Sequence, residues 1–228
     1  MAVIQVERAI EDFRHAQRLL AGEPAWISLD AAIASITPEL VIAEQHRLRT
    51  VGRAPKGGQT ALNRLFERML PGSDGWKSQP RLFKERALSE WKLDFRRDRI
   101  GVEVSFNHGE AIPWQFTRLN IAGESERVRP DARIDVGVVI TADKSLKRWS
   151  KMDAAVGTFD QFRAWLREMK PILPIPILLI GLQAAEWPPT EAFPGTAQGT
   201  RGGRRQVPSE GLPANEAPPA AGRDESAS

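Results

Sequence analysis

Large apolar residues recur every three to four positions across residues 3 to 20. Val6, Ile10, Phe13 and Leu20 fall on or near one stripe while Glu7, Glu11 and Arg14 lie off it, a pattern that predicts an amphipathic helix. A second helix is expected from Pro38 to about Thr50, and a third from Gln59 to Leu70, with Leu62, Leu65, Phe66 and Met69 inward and Pro71-Gly72 ending it. Residues 73 to 80 read as a loop holding Trp76. The period then shortens to two. Residues 91 to 96 alternate, and so do residues 100 to 106, as strands do. A helix is expected within residues 114 to 129, ending near Gly123. The run Ile134-Asp135-Val136-Gly137-Val138-Val139-Ile140 is nearly all apolar, as a strand covered on both faces requires. Thr158 to Lys170 reads as a helix opened by a capping box, Thr158 with Gln161 three residues on, and closed by Pro171. Phe159, Phe162, Leu166 and Met169 form its apolar stripe, and residues 175 to 182 make another buried strand. This order of elements predicts an α/β fold, a central mixed β-sheet flanked by helices.

Composition sets the outer limits. The chain has 228 residues, enough for one domain with a sizeable core. From Trp187 onward Pro, Gly, Ala, Ser and charged residues dominate. The expected division is therefore a folded domain over residues 1–186 and a disordered tail over residues 187–228, which holds too little apolar surface to offset its ordering entropy. The Arg201-Gly202-Gly203-Arg204-Arg205 cluster in that tail reads as solvated charge able to touch phosphate non-specifically. The absence of cysteine excludes disulfides, thiolate-ligated zinc, iron–sulfur clusters and thiol catalysis. The N-terminal stretch carries charges within its apolar run, unlike a secretory signal. The longest apolar stretch, residues 172 to 182, is broken by Pro174 and Pro176 and is too short for a membrane span. The expectation is a soluble cytoplasmic protein with no membrane partner.

The net charge of +3 permits nucleic-acid binding without arguing strongly for it. Its distribution says more. Lys92, Arg96, Arg97 and Arg99 crowd around Asp94, and Arg118, Arg127, Arg129 and Arg133 follow. If Asp98 and Arg99 form a two-residue turn, Arg97 pairs with Ile100, and counting outward sets Asp94 opposite Glu103. Directly opposed residues have Cβ atoms about 4.5–5.5 Å apart. Alternation assigns Leu93, Phe95, Val102, Val104 and Phe106 to the core face, and Lys92, Asp94, Arg96, Glu103 and Ser105 to the other. Two facing carboxylates repel. A hard divalent cation would offset that repulsion, and so would nearby arginines on a charge-laced outer face. On spacing alone both readings stand.

In this context the segment from about Gly57 to Ile140 resembles the BglII branch of type II restriction endonucleases, in the PD-(D/E)XK nuclease superfamily. In that superfamily one strand carries an Asp, the next carries Glu-x-Lys, and a helix-flanked mixed sheet supports both. In the BglII branch Gln commonly replaces the Lys. Asp94 matches the Asp, Glu103 the Glu, and Ser105 stands at the Lys or Gln position. The resemblance implies Mg²⁺ held by Asp94 and Glu103 with a backbone carbonyl, that of Val104, as a further ligand. It also implies hydrolysis of phosphodiester bonds in double-stranded DNA, with Asp94, Glu103 and Ser105 as the catalytic set.

Ser105 departs from the pattern, because its hydroxyl can hold a water but brings no cation. Three readings follow: water positioning by Ser105, a lysine supplied from elsewhere (Lys92 or Lys84), or a catalytically impaired DNA-binding protein of the same fold. The resemblance further implies a polar residue on an upstream helix, with Asn63, Glu67 and Glu90 as candidates. It implies a homodimer acting on a short palindrome within a restriction-modification system whose methyltransferase protects self DNA.

The remaining polar residues carry less. His15 and His46 read as surface or packing residues, and His108 as a candidate DNA or water contact. Three scattered histidines do not make a zinc site. Residues 56–60 lack the spacing of a nucleotide-binding loop, although the helix start that follows could hold a DNA phosphate. Gln115, Arg118 and Asn120 are candidate base-edge donors, alongside the plainer reading of surface polar residues, and Asp135 reads as structural.

Overall fold

In the computed structural model, residues 4–52, 57–70 and 75–193 are described. In chain order the elements are β1 (Glu7–Phe13), α1 (Ala16–Leu20), α2 (Pro24–Ala34), α3 (Pro38–Thr50), α4 (Gln59–Met69), β2 (Lys77–Ser78), β3 (Phe95–Arg97), β4 (Ile100–Ser105), α5 (Ile112–Glu124), β5 (Val136–Ala142), α6 (Lys144–Trp149), α7 (Phe159–Met169) and β6 (Ile177–Gln183). The strands make one six-stranded sheet in the order β1-β6-β5-β4-β3-β2. β4, β5 and β6 run parallel, while β1, β3 and β2 pair antiparallel at the two sides. The mixed α/β sheet expected from the sequence is therefore the fold.

The centre is parallel because its strands are apolar on both faces. Every residue of β5 is buried, and so is β6 as far as Leu182. β4 is also buried throughout, although it carries Glu103 and Ser105. This corrects the picture of a solvated hairpin face: α5 lies over it. α5 connects β4 to β5, and α7 lies between β5 and β6, so right-handed crossovers set both helices on one face. There Phe116, Leu119, Phe162 and Leu166 pack on Val139, Ile177 and Leu179. Gly137 lets α5 settle closely, because a Cβ added there would stand 2.9 Å from the Leu119 Cδ1. The opposite face is covered by the N-terminal helices, with Leu20, Leu29, Ile33, Leu62 and Phe66 against Phe95, Val102, Val104 and Val138.

Several expectations change. Residues 3 to 20 do not form one helix. Glu7–Phe13 is an edge strand paired with β6 from Glu7↔Gln183 to Phe13↔Ile177, and α1 begins after a left-handed corner at Arg14 and His15. The unpaired backbone along a long buried strand outweighs the helical period of a short segment. The helix α2 was not anticipated, although Pro24 in its first turn and buried Ala25, Leu29 and Ile33 at four-residue spacing mark it. Leu93 packs in the α5-side core rather than beside Phe95, because the chain bends at Asp94 before β3 begins. At the other end, Trp187 and Phe193 are buried in the main core beside Trp149, so packing extends past residue 186. Residues 194–228, including the Arg201–Arg205 cluster, lie outside the described residues.

Candidate active site

The hairpin that carries the acidic pair forms with the register counted from the sequence. Arg97 pairs with Ile100, Arg96 with Gly101 and Phe95 with Val102; the ladder ends there, and Asp94 stands at the bend beyond it, beside the backbone of Val104 that follows Glu103. Asp98 takes a positive φ of 50°, a conformation that a short aspartate side chain tolerates in a tight turn. Asp94 is held from two sides. Its Oδ2 accepts from the Val104 backbone N–H at 2.8 Å, and its Oδ1 accepts from Gln79 Nε2 at 3.1 Å. The Gln79 N–H also donates to the Asp94 carbonyl at 2.9 Å. Since N–H and C=O of one strand residue face the same side, the Val104 carbonyl is directed to the edge where Asp94 sits.

Glu103 is fully buried, and both its oxygens are met by Arg118 from α5: Nε donates to Oε1 at 2.9 Å and Nη2 to Oε2 at 2.5 Å. Burial pushes Glu103 up to about 8, with Arg118 pulling down and the adjacent Asp94 carboxyl pushing further up. Asp94 is also raised, first by burial, against the Val104 amide, Arg118 and Gln79, with Glu67 adding to the rise. Burial alone would lower the Arg118 guanidinium, but its contacts with Glu103 and Asp94 leave it raised. One guanidinium thus compensates two closely spaced acids only in part. Ser105, next on the same face of β4, is buried and accepts a hydrogen bond from Gln115 Nε2.

Asp94 opens into a cleft of about 160 Å³ lined also by Val104, Gln79, Asn107, and Asn63 and Glu67 of α4. Of the three upstream helix candidates, Asn63 and Glu67 line this cleft, and Glu90 does not. Neither Lys84 nor Lys92 lines it; the cation at the acidic pair is Arg118. Arg118 and Gln115 point inward to β4 rather than offering base-edge donors, while Asp135 pairs with Arg99. His108 lines a separate hollow with Gln161 and Trp165. Sequence reasoning missed Gln79 and Asn107 and the inward roles of Arg118 and Gln115. One signal was present for Gln115: it is a polar residue on the buried stripe of Ile112, Phe116 and Leu119.

Beside the cleft runs a groove lined by Arg47, Arg64, Arg68 and Glu67. The buried Glu44 accepts from Arg47 at 2.5 Å and from Arg68 at 2.6 Å, fixing two guanidinium groups at its rim. An acidic cleft adjoining a fixed arginine row suits a polyanion held by its phosphates.

The family model for restriction endonuclease BglII/BglIII matches residues 9–182, which spans the sheet from β1 to β6 and both sides of the cleft. The chain belongs to this family. It is a type II restriction endonuclease. No curated protein sequence matches this endonuclease. Among solved structures, it resembles restriction endonuclease BglII complexed with a DNA 16-mer, at 15% identity and a TM-score of 0.56, over 77% of this chain and 78% of that one. Free BglII aligns at 15% identity and a TM-score of 0.47, over 77% of this chain and 79% of that one. At such identity the likeness is one of fold.

Restriction endonucleases of this family generally use a divalent metal, and the residues of the cleft fit one. The donors that line it are hard oxygens: the Asp94 carboxylate, the Val104 carbonyl, and Asn63 and Glu67 across the cleft; Glu103 lies behind them, fully buried with both oxygens on Arg118. Oxygen ligands and incompletely balanced negative charge suit a hard divalent cation. Among the described residues no group of three or more His, Asp or Glu side chains forms a self-contained metal cage. No single helix among the described residues is long and apolar enough to cross a membrane.

Proposed function

We propose that this endonuclease hydrolyses phosphodiester bonds of double-stranded DNA at the cleft beside Asp94, with Mg²⁺ as its cofactor. The observation that carries the reading is Asp94 at the cleft, its carboxylate held by the N–H of Val104, the residue next to the buried Glu103. Asp94 and the Val104 carbonyl would hold the cation, joined by Glu103 once Arg118 releases one of its oxygens. Its chemistry there is to neutralise the phosphodiester and act as a Lewis acid toward a nearby water. The chain's own groups do the rest. The Val104 N–H and Gln79 hold the Asp94 carboxylate aimed into the cleft. Arg118 keeps Glu103 oriented in a place that excludes water. Arg47 and Arg68, fixed by Glu44, offer guanidinium groups to the flanking backbone phosphates.

The wider reading follows from what one such site can do. A single acidic pair cuts one strand, so a double-strand break at a palindrome calls for two copies related by the two-fold axis of the duplex. The proposed working form is a homodimer, acting in the cytoplasm within a restriction-modification system whose methyltransferase protects the host sequence. The folded domain is its catalytic domain, and Asp94, Glu103 and Ser105 belong to a variant of the PD-(D/E)XK pattern.

The test is a digest of plasmid DNA with Mg²⁺, set beside EDTA and the Asp94→Ala protein. Discrete fragments are expected, abolished by EDTA and slowed roughly 10³-fold by the substitution, equal to about 4 kcal/mol of transition-state stabilisation. A mobility shift with no cutting under any divalent metal would identify a DNA-binding protein that has lost cleavage, and would overturn the reading.

A further inference from the structure

The cross-strand partner of Asp94 is Gln79. β2 and β3 pair Lys77 with Arg96 and Ser78 with Phe95, and farther along the same two segments Arg81 pairs with Lys92 in an antiparallel bridge. These pairs keep one register, which sets Gln79 directly opposite Asp94. The backbone agrees: the Gln79 N–H donates to the Asp94 carbonyl at 2.9 Å, and the Leu93 N–H donates to the Pro80 carbonyl at 3.3 Å. The side chains meet as well, since Gln79 Nε2 donates to the Asp94 Oδ1 at 3.1 Å.

Gln79 meets Asp94 in a strained conformation. Its φ is 51°, in the left-handed region that residues other than glycine rarely adopt. Pro80 follows it and narrows its choices further. The opposite strand departs from regularity at the same place: Leu93 enters the core under α5, while Phe95 enters the core under the N-terminal helices. A straight ribbon would send Leu93 and Phe95 to one face and Asp94 to the other. Here the left-handed step in one segment matches the bend in its partner, and the ribbon turns without losing register. At that turn Asp94 stands in the wall of the cleft, which Gln79 also lines. Backbone strain of this kind clusters at working sites.

We propose that Gln79 is a positioning residue for the cleavage reaction, a left-handed brace that makes the bend at Asp94 and stops its carboxylate from turning. The proposal rests on the cleavage reading given above. The Val104 N–H pins Oδ2 at 2.8 Å and the Gln79 amide pins Oδ1, so rotation about the Cβ–Cγ bond is closed from both ends. Gln79 gives no proton and takes none. Its contribution is direction: Asp94 meets a divalent cation with its oxygens already placed, and that ordering is complete before the ion and the phosphate arrive. Backbone and side chain share the task. The left-handed backbone sets where Asp94 stands, and the amide sets which way it faces. Without that task the fold would favour glycine at this position, because glycine takes the same φ at no steric cost.

Glycine therefore separates the two contributions. Gln79→Gly keeps the bend and removes the amide, whereas Gln79→Ala removes the amide and keeps the strain. Each is compared with the parent in thermal unfolding, in single-turnover cleavage of plasmid DNA with saturating enzyme and Mg²⁺, and in Ca²⁺ titration by calorimetry without DNA. Gln79→Gly is expected to melt within about 2 °C of the parent. It is nevertheless expected to cut about 10-fold more slowly and to bind Ca²⁺ about 5-fold more weakly. Gln79→Ala is expected to melt about 2–4 °C below Gln79→Gly and to cut as slowly. A residue with a structural role alone would move rate and melting together. Cleavage and Ca²⁺ binding by Gln79→Gly within about twofold of the parent, or a cleavage rate that follows melting across both variants, would overturn the proposal. A parent protein that does not cut would instead remove the cleavage reading itself, and the Ca²⁺ titrations would then decide the brace alone.

Discussion

Glu103 carries its carboxylate where water does not reach, and Arg118 is the cation that answers it. Breaking such a pair costs more than the pair contributes, because the partner left behind stays buried and uncompensated. Arg118→Met is therefore expected to lower the unfolding free energy by roughly 3 kcal/mol in urea titrations. Arg118→Lys should fall between, since an ammonium keeps the charge and loses the two-pronged geometry. Combining Arg118→Met with Glu103→Gln should restore much of the stability, and a double variant no better than Arg118→Met alone would show that the loss comes from packing. Asp94 differs in kind: half-buried and fixed by the Val104 amide and Gln79, it faces the cleft rather than a protein cation. One acid of the pair is locked in place and the other is presented.

At the level of elements, the cleft depends on how closely α5 lies on β4. That approach runs through Gly137, whose added Cβ would meet Leu119 of α5 at 2.9 Å. Gly137→Ala should lift or tilt the helix and cost about 1–3 kcal/mol by thermal or chemical unfolding. Since the same helix carries Arg118 and Gln115, cleavage should fall several-fold at temperatures where the variant is still folded. Full activity in a destabilised Gly137→Ala protein would separate the helix from the site. The hairpin was legible in the sequence because turn and alternation are local, and they alone paired Arg97 with Ile100 and Phe95 with Val102; the bend at Asp94, where the alternation breaks, was not. The capping box of α7 and the apolar runs of β5 and β6 were legible for the same reason. β1 was not, because its strand state is set by an unpaired edge some 170 residues away in the chain, from Glu7 to Gln183. Gln115 and Arg118 were visible as polar residues on a helix, but which strand they meet is decided by packing.

Taken whole, the molecule is closed by aromatic residues beyond the last strand. Trp149 stands 4.6 Å from Trp187 and 5.3 Å from Phe193, ring centre to ring centre, and Phe193 is fully buried. Removing such a side chain costs about 3–5 kcal/mol, so Phe193→Ala should lower the melting temperature by several degrees. A chain ending at Glu186 should be less stable still than one ending at Thr196, checked by calorimetry on both. Equal melting of the two would show that these rings add nothing to the core.

The pairing of β1 with β6 also bears on how the protein comes into being. On a ribosome, residues 7–13 emerge long before their partners at 177–183, so β1 waits while the strands between them in the chain are made. During that interval a stretch meant for a sheet edge is open to strangers, the circumstance in which nascent chains aggregate. Gln5, whose carbonyl accepts from the Trp187 indole, waits with it. Synthesis rate and chaperone supply should therefore bear on the yield of this endonuclease.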